Sequence, residues 1–281
     1  MSSLPANNSQ PQPDSHISIV TTHLLKFPHI LHRHRVDIFL PPGYDSRPNE
    51  NYKALYVNDG QDMGRLLMKE TLEKLYRFHQ IEPIIVVAIH ASHDRVHDYG
   101  VVGIPDAHNR GSKAHEYEQF VLERLLLYME QHYRIRKGAP NTAISGVSLG
   151  GLSAIDLAWR NPTLFGKVGV FSGSFWWRTD DTDWRTQQAS RIMHKVVRES
   201  QKREGLKFWF QAGTADETSD RDGNGVIDAI QDTLELIDEL ELKGYRRGEE
   251  IVYVQVEGGK HDQETWGSVL PDFLKWAFAA E

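Results

Sequence analysis

Residues 142–151 read TAISGVSLGG, a β-prone run that passes directly into the pattern G-x-S-x-G. Apolar residues at helical spacing follow at Leu152, Ile155 and Trp159, so the glycine-rich segment lies between a strand and a helix. In that setting the pattern is typical of a nucleophile elbow, in which small residues let the backbone pass closely and hold the serine hydroxyl clear of the sheet. Ser148 is therefore the candidate nucleophile. The alternative is a glycine-rich turn with an incidental serine.

The helix that follows Ser148 supplies a second part of the same chemistry. Its first turn has backbone N–H groups without helical partners, and the helix dipole favours negative charge at that end. We therefore expect the N–H of Leu149 to point at the carbonyl oxygen of a bound ester, where negative charge develops when a serine attacks.

Short apolar runs lie on both sides of this segment and alternate with stretches of helical period. Several runs are apolar at successive positions, as expected of strands that are buried on both faces of a parallel sheet. The alternation predicts an α/β fold with a mostly parallel, doubly wound sheet. The six runs are Ala54 to Val57, Ile84 to Ile89, Thr142 to Ser145, Val168 to Phe171, Phe208 to Ala212 and Ile251 to Val256. The clearest helical stripes are Tyr117 to Tyr128 and Ile230 to Leu240, the second ending near Gly244.

The amino-terminal part of the chain has a different pattern. Residues 1–15 contain too few apolar side chains to pack, which predicts a flexible leader. Residues 17–31 and 33–40 are β-prone and predict an antiparallel strand pair, which ends at Pro41 because proline lacks a backbone donor. Residues 16–281 suit a single domain by length.

A serine nucleophile of this kind needs a base and an acid later in the chain, on loops at the carboxyl ends of later strands. Asp216 lies in a turn just after the Phe208 run, and His261 lies in a glycine-rich turn just after the Ile251 run. The order Ser, acid, His is the expected one. Asp216 and His261 are therefore the candidate acid and base.

The chain has 14 histidines in all, and position separates His261 from the rest. Most of them fall in the amino-terminal β pair or in helical stretches, where a structural role is expected. His90 and His93 lie near the end of a predicted strand, but they precede Ser148, which is the wrong order for the base.

Four segments resemble the putative-esterase branch of the α/β-hydrolase superfamily, which includes S-formylglutathione hydrolases of the esterase D type, feruloyl esterases, enterochelin-type esterases and mycolyltransferases. They are residues 57–61 (VNDGQ), residues 146–151, residues 213–216 (GTAD) and residues 258–262 (GGKHD) with Trp266 after them. They occur in the family's order and span most of the chain after the leader. The resemblance implies an α/β-hydrolase domain.

The same resemblance implies roles for individual residues. Ser148 would be the nucleophile, Asp216 the acid and His261 the base, with the backbone N–H groups of Leu149 and Gln61 forming the oxyanion hole. A turn after the first parallel strand is also where a second oxyanion donor is expected on general grounds. The acid-to-base interval is longer than is usual in the family, which leaves Glu217 as an alternative acid.

The extra length holds residues 220–228, DRDGNGVID, which match the first nine positions of a calcium-binding loop. The oxygen ligands would come from Asp220, Asp222, Asn224 and Asp228. Position twelve is Gln231 instead of the usual bidentate Glu, so the pattern predicts a structural calcium site of low affinity. The alternative is a polar turn in which Asp228 caps the next helix.

Aromatic residues follow the Val168 run in the segment FSGSFWW, residues 171–177. Trp176 and Trp177 would face the carboxyl side of the sheet, where they could form the wall of an apolar substrate pocket. The alternative is that Phe175 and Trp177 belong to the core. Residues 94–113 are polar and lack helical or strand period, which predicts a long loop over the site.

Composition limits the remaining possibilities. With 32 Lys and Arg against 39 Asp and Glu, the net charge is −7, which disfavours nucleic acid and anionic membranes as partners. With no Cys, covalent chemistry by a thiol is excluded. No apolar stretch of membrane-spanning length and no signal peptide are found, so a cytoplasmic location is expected.

These features together predict a serine carboxylesterase that acts on small-molecule esters and requires no cofactor for catalysis. The bulk of the aromatic segment favours short-chain esters. Two alternatives stay open, acyl transfer to an alcohol by the same triad and a non-catalytic α/β-hydrolase-fold binding protein.

Overall fold

The architecture is an eight-stranded mixed sheet, as a computed structural model describes it for residues 16–24 and 34–280. The strand order is β1-β2-β4-β3-β5-β6-β7-β8. The strands are β1 Ser18–Leu24, β2 His34–Leu40, β3 Lys53–Asn58, β4 Ile84–Ile89, β5 Thr142–Val147, β6 Lys167–Phe171, β7 Lys207–Ala215 and β8 Ile251–Lys260. The predicted leader, residues 1–15, and residues 25–33 lie outside the described residues, and the single-domain assignment stays a prediction.

The pairing of the strands confirms the predicted fold class. β1 pairs antiparallel with β2, and β2 pairs antiparallel with β4. From β4 through β3, β5, β6 and β7 to β8 every pairing is parallel. All six predicted apolar runs are strands of this parallel part. β3 has β4 on one side and β5 on the other, so strand order reverses there, and a crevice forms at the carboxyl ends of the strands.

Helices cover both faces of the sheet. They are α1 Met68–Arg77, α2 Arg95–Asp98, α3 Ala114–Gln119, α4 Leu126–His132, α5 Ser148–Arg160, α6 Trp184–Ala189, α7 Ile192–Glu199, α8 Asp228–Leu242 and α9 Gln263–Phe278. The predicted helix from Tyr117 to Tyr128 is interrupted by a π-helical segment, Phe120–Leu125, between α3 and α4. The second predicted stripe lies on α8, and Gly244 after it has a left-handed φ of 93°.

Two apolar clusters, one on each face of the sheet, form the core. One includes Leu152 of α5 and Leu236 of α8, and the other includes Leu72 of α1 and Phe273 of α9. Every residue of α5 from Leu149 to Trp159 is buried, and so is all of β5. The strand and helix on either side of Ser148 are therefore held by packing along their whole lengths. Within the two described ranges, no helix is both long and apolar enough to cross a membrane.

The long loop predicted at residues 94–113 is present but contains the short helix α2. Two buried side chains of α5 hold it: Gly100 N–H donates to Ser153 Oγ at 2.9 Å, and Val102 N–H donates to Asp156 Oδ2 at 2.9 Å. Burial raises the pKa of Asp156 from 3.8 to about 7, in opposition to the hydrogen bond from Val102. An acidic group inside the core thus anchors the loop.

This anchor predicts a pH-dependent stability. The folded-state pKa of Asp156 lies above its unfolded value. The stabilisation that protonated Asp156 gives the folded state is therefore fully present below about pH 4 and is lost as the pH rises to about 7. We expect the melting temperature, followed by circular dichroism, to fall more across this window in the wild type than in Asp156→Asn, which cannot ionise. Parallel curves for the two proteins would contradict the assignment.

Candidate active site

Ser148 is the first residue after β5 and has a left-handed backbone, φ 54°. This conformation is costly for a residue with a Cβ and marks a sharp turn from strand to helix. Gly146 makes the turn possible, because a Cβ there would collide with the backbone of Gly150. The Asn58 side chain fixes the helix side of the turn by donating to the Gly150 carbonyl at 2.7 Å. The predicted elbow is therefore present.

The candidate acid and base each lie directly after the end of a strand. Asp216 follows β7, whose register shifts between Gly213 and Ala215, and His261 follows β8. The Asp216 side chain is fully buried, and its Oδ1 lies 2.7 Å from His261 Nδ1. Asp216 Oδ2 accepts a hydrogen bond from Gly213 N–H at 3.3 Å. The buried carboxylate thus fixes the orientation of the imidazole ring.

One cavity of about 460 Å³ brings the three side chains together. It is lined by Arg95, Arg110, Ser148, Leu149, Ser172, Gly173, Ser174, Trp176, Asp216, Glu217, Ala229 and His261. The Ser148 hydroxyl contacts the Ser174 hydroxyl, with 3.3 Å between the two oxygens. Among the described residues Ser148 has no hydrogen bond to His261, a contact that often forms only when substrate is bound.

The two predicted oxyanion donors differ in their position. Leu149 lines the cavity at the first turn of α5, where N–H groups lack helical partners. Gln61 does not line it and instead borders a separate cavity with Asp37 and His90. The Gln61 side chain donates to Asp59 Oδ1 at 3.0 Å and accepts from Ala91 N–H at 3.0 Å. The structure supports the placement of Leu149, and the role of Gln61 stays a prediction.

Glu217, the alternative acid, lines the cavity but has no hydrogen bond to His261 within the described part of the chain. Burial raises the pKa of its carboxyl group, and the negative charge of Asp228 raises it further. Because Asp216 holds the imidazole, the geometry favours Asp216 as the acid.

The prediction for the two tryptophans is half wrong. Trp176 lines the cavity, whereas Trp177 is completely buried in the core and cannot touch a substrate. Trp177 packs against the backbone of Gly100 and Gly111 in the long loop. The two residues lie in a tight turn, in which the Trp177 N–H donates to the Ser174 carbonyl oxygen at 3.2 Å, and only one side chain of the pair reaches the site.

Two arginines of the long loop also line the cavity, and no sequence pattern indicates them. Arg95 donates twice to the buried Asp59, at 2.6 and 2.7 Å. Arg110 donates to Asp106 at 2.6 Å, and its guanidinium lies 5.1 Å from the ring centre of Trp176. The sequence marks residues 94–113 as a long polar loop. The length and composition of that loop do not indicate which of its side chains point into the cavity.

The side chains of the predicted calcium loop make hydrogen bonds within the loop. Asp220 and Asp222 accept hydrogen bonds from the backbone of Asn224, and Asp228 faces the Arg221 side chain at 3.2 Å. In the described ranges no three acidic or histidine side chains are grouped to hold a metal. The Arg221 cation thus lies beside one of the carboxylates that the pattern assigns to calcium. Calcium binding stays a prediction.

The alternative for the same segment is wrong. Asp228 is the first residue of α8 and Ile227 holds the N-cap position, so Asp228 is not the capping residue. Its carboxylate accepts from the N–H of Arg221 at 3.0 Å and so closes the loop onto itself.

The fold brings a strand-end serine, an acid and a histidine to one cavity, an arrangement that is typical of the α/β-hydrolase class. The sequence pattern of the family described as "Putative esterase" matches residues 29–277. The chain belongs to that family. A curated relative, the uncharacterized protein YbbA of Bacillus subtilis (strain 168), is 24% identical over 147 residues. That match covers 51% of this chain and 58% of YbbA.

Solved structures with the same fold carry esterase names. A ferulic acid esterase has a TM-score of 0.72 at 20% identity, covering 94% of this chain and 98% of that one. The enterobactin esterase FES from Shigella flexneri has a TM-score of 0.70 at 21% identity, covering 92% of this chain and 59% of that one. S-formylglutathione hydrolase from Staphylococcus aureus has a TM-score of 0.66 at 16% identity, covering 94% and 97%. At these identities the likeness is one of fold.

The two adjacent carboxylates give a test of the acid. Asp216→Asn should lower kcat on the order of a thousand-fold or more, because the amide favours the wrong tautomer of His261. Glu217→Gln, one residue later, is the matched control and should retain most of the activity. Steady-state kinetics with p-nitrophenyl acetate measures both. A larger loss in the Glu217 variant would move the acid to that residue.

Proposed function

We propose that the protein is a serine carboxylesterase that hydrolyses short-chain carboxylic esters through an acyl-enzyme intermediate. Ser148 is the nucleophile, His261 the general base and Asp216 the acid that orients it. The 2.7 Å hydrogen bond between Asp216 and His261, in the cavity that Ser148 lines, carries this proposal. Membership of the esterase family supports an ester as the substrate.

The proposed reaction uses the free nitrogen of the imidazole. Nδ1 of His261 is bonded to Asp216, so Nε2 accepts the Ser148 proton while Oγ forms a bond to the ester carbon. The carbonyl electron pair moves to the oxygen and returns as the alcohol leaves with the proton from Nε2. Water then attacks the acyl carbon, gives its proton to Nε2, and the carbon–Oγ bond breaks as Ser148 takes that proton back.

Stabilisation of the oxyanion is assigned to the amino-terminal end of α5. The N–H of Leu149 lies next to the nucleophile and at the positive end of a 13-residue helix. A second donor from the Gln61 backbone is part of the proposal, although Gln61 does not line the cavity. Loss of one such donor typically lowers kcat about 100- to 1,000-fold in related chemistry.

The lining of the cavity supports short esters. Apolar side chains come only from Leu149, Trp176 and Ala229 among the lining residues. A long acyl chain would have to lie against guanidinium and carboxylate groups, which would lose hydration without gaining partners. The N–H groups of Arg95 and Arg110 that their carboxylate partners leave free can instead bind a polar substituent.

Removal of either reacting side chain tests the mechanism. Ser148→Ala and His261→Ala should each lower kcat by several orders of magnitude with p-nitrophenyl acetate, because the triad acts as a unit. Melting temperatures near the wild-type value show that the variants are folded. Near wild-type turnover by either variant would refute the mechanism. If an added alcohol receives most of the acyl group in the wild type, the protein is an acyltransferase.

Acyl chain length tests the substrate proposal. Each methylene accepted or rejected changes specificity by about 1 to 3 kcal/mol, so kcat/KM should fall steeply between butyrate and octanoate p-nitrophenyl esters. Trp176→Ala should shift the optimum towards longer chains. Trp184→Ala, at a partly exposed tryptophan outside the cavity, is the matched control and should not. An optimum at long chains in the wild type would place the acyl pocket elsewhere.

A further inference from the structure

The Ser148 hydroxyl has a close neighbour that the proposed mechanism does not use. Ser174 Oγ lies 3.3 Å from Ser148 Oγ, and the Ser174 N–H donates to the Ser148 carbonyl oxygen at 3.2 Å. Ser174 is almost fully buried, with 2% of its surface exposed. Both the side chain and the backbone of Ser174 therefore contact the nucleophile.

The segment that carries Ser174 is fixed on both sides. Ser172 N–H donates to the Gln211 carbonyl of β7 at 2.8 Å, and Ser172 Oγ accepts from Trp266 Nε1 of α9 at 2.8 Å. Gly173 has no room for a side chain, since a Cβ would lie 2.6 to 2.7 Å from Val170 and Phe175. The position of Ser174 is thus set by a neighbouring strand and a helix as well as by Ser148.

The same segment also lies close to the base. Trp266, which bonds to Ser172, packs edge-on against His261 with 5.1 Å between the ring centres. The residues 172–174 therefore contact Ser148 at one end and, through Trp266, the imidazole at the other.

The count of protons decides which hydroxyl donates. Ser148 has one proton, and in the proposed mechanism it must point at His261 Nε2. Its oxygen keeps lone pairs that can accept a second hydrogen bond. The two bonds can therefore coexist only if Ser174 is the donor and Ser148 Oγ the acceptor.

We propose that Ser174 is a positioning residue that holds the Ser148 Oγ in the orientation for attack by donating a hydrogen bond to it. This inference rests on the proposed role of Ser148 as the nucleophile. No atom is transferred to or from Ser174. The hydrogen bond acts on the nucleophile and not on the substrate. Its loss should therefore slow every reaction in which Ser148 Oγ attacks, and by the same factor.

The test compares Ser174→Ala with wild type in three reactions: p-nitrophenyl acetate hydrolysis, p-nitrophenyl butyrate hydrolysis and covalent labelling by a fluorophosphonate. We expect the acylation rate constant and the labelling rate constant to fall by the same factor, about 3- to 10-fold for one hydrogen bond, with KM changed little. Ser174→Thr, which keeps the hydroxyl, should restore the rates. If it does not fold, the Ala variant alone decides.

Thr142→Val is the matched control, because Thr142 is a buried hydroxyl at the opposite end of β5, 3.3 Å from the Gly138 carbonyl. It should leave all three rates unchanged. Rates in Ser174→Ala that equal or exceed wild type would overturn the inference, and so would a factor that differs between acetate and butyrate, which would make Ser174 a substrate contact. An active Ser148→Ala would refute the proposed function itself, whereas an inactive Ser148→Ala with an unaffected Ser174→Ala would refute only the positioning role.

Discussion

The left-handed backbone at Ser148 is the constraint on which the rest of the site depends. A residue with a Cβ keeps this conformation only when its surroundings hold it. Here the strand before it and the helix after it are buried along their lengths, and hydrogen bonds from Asn58 and from the Ser174 N–H fix the carbonyl groups of Gly150 and Ser148. Packing of the core thus stabilises the strained backbone at Ser148, which holds the serine hydroxyl at the cavity.

Sheet order then brings the other side chains to the serine. β5, β6, β7 and β8 are consecutive neighbours, and their carboxyl ends lie on one edge of the sheet. Neighbouring strands are about 4.8 Å apart, so the ends of β5 and β8 are separated by three such spacings. β7 and β8 extend to Ala215 and Lys260, and Asp216 and His261, directly after them, line the same cavity as Ser148.

The order of strands and reactive side chains could be predicted from sequence because local signals mark it: an apolar run, then glycine, then the reactive side chain. Ser148, Asp216 and His261 all lie at such points. The turns predicted before Asp216 and His261 are wrong, because β7 and β8 continue to Ala215 and Lys260. Contacts between distant segments leave no such signal. Ser174 touches Ser148 across the fold, Trp176 and Trp177 differ only in which way they point, and Arg221 meets Asp228 where the loop pattern predicts an ion. These outcomes depend on tertiary packing, which a local pattern does not contain.

Of the two adjacent carboxylates in the cavity, only Asp216 forms a hydrogen bond to the imidazole of His261 among the described residues. Arg95 is paired with Asp59, Arg110 with Asp106 and His261 with Asp216. Glu217 has no such cation among the described residues, and both burial and the charge of Asp228 raise the pKa of its carboxyl group. The two adjacent carboxyl groups therefore lie in different environments of one cavity. The hydrogen bond to His261 favours Asp216 as the acid in the proposed mechanism, and sequence order alone could not distinguish it from Glu217.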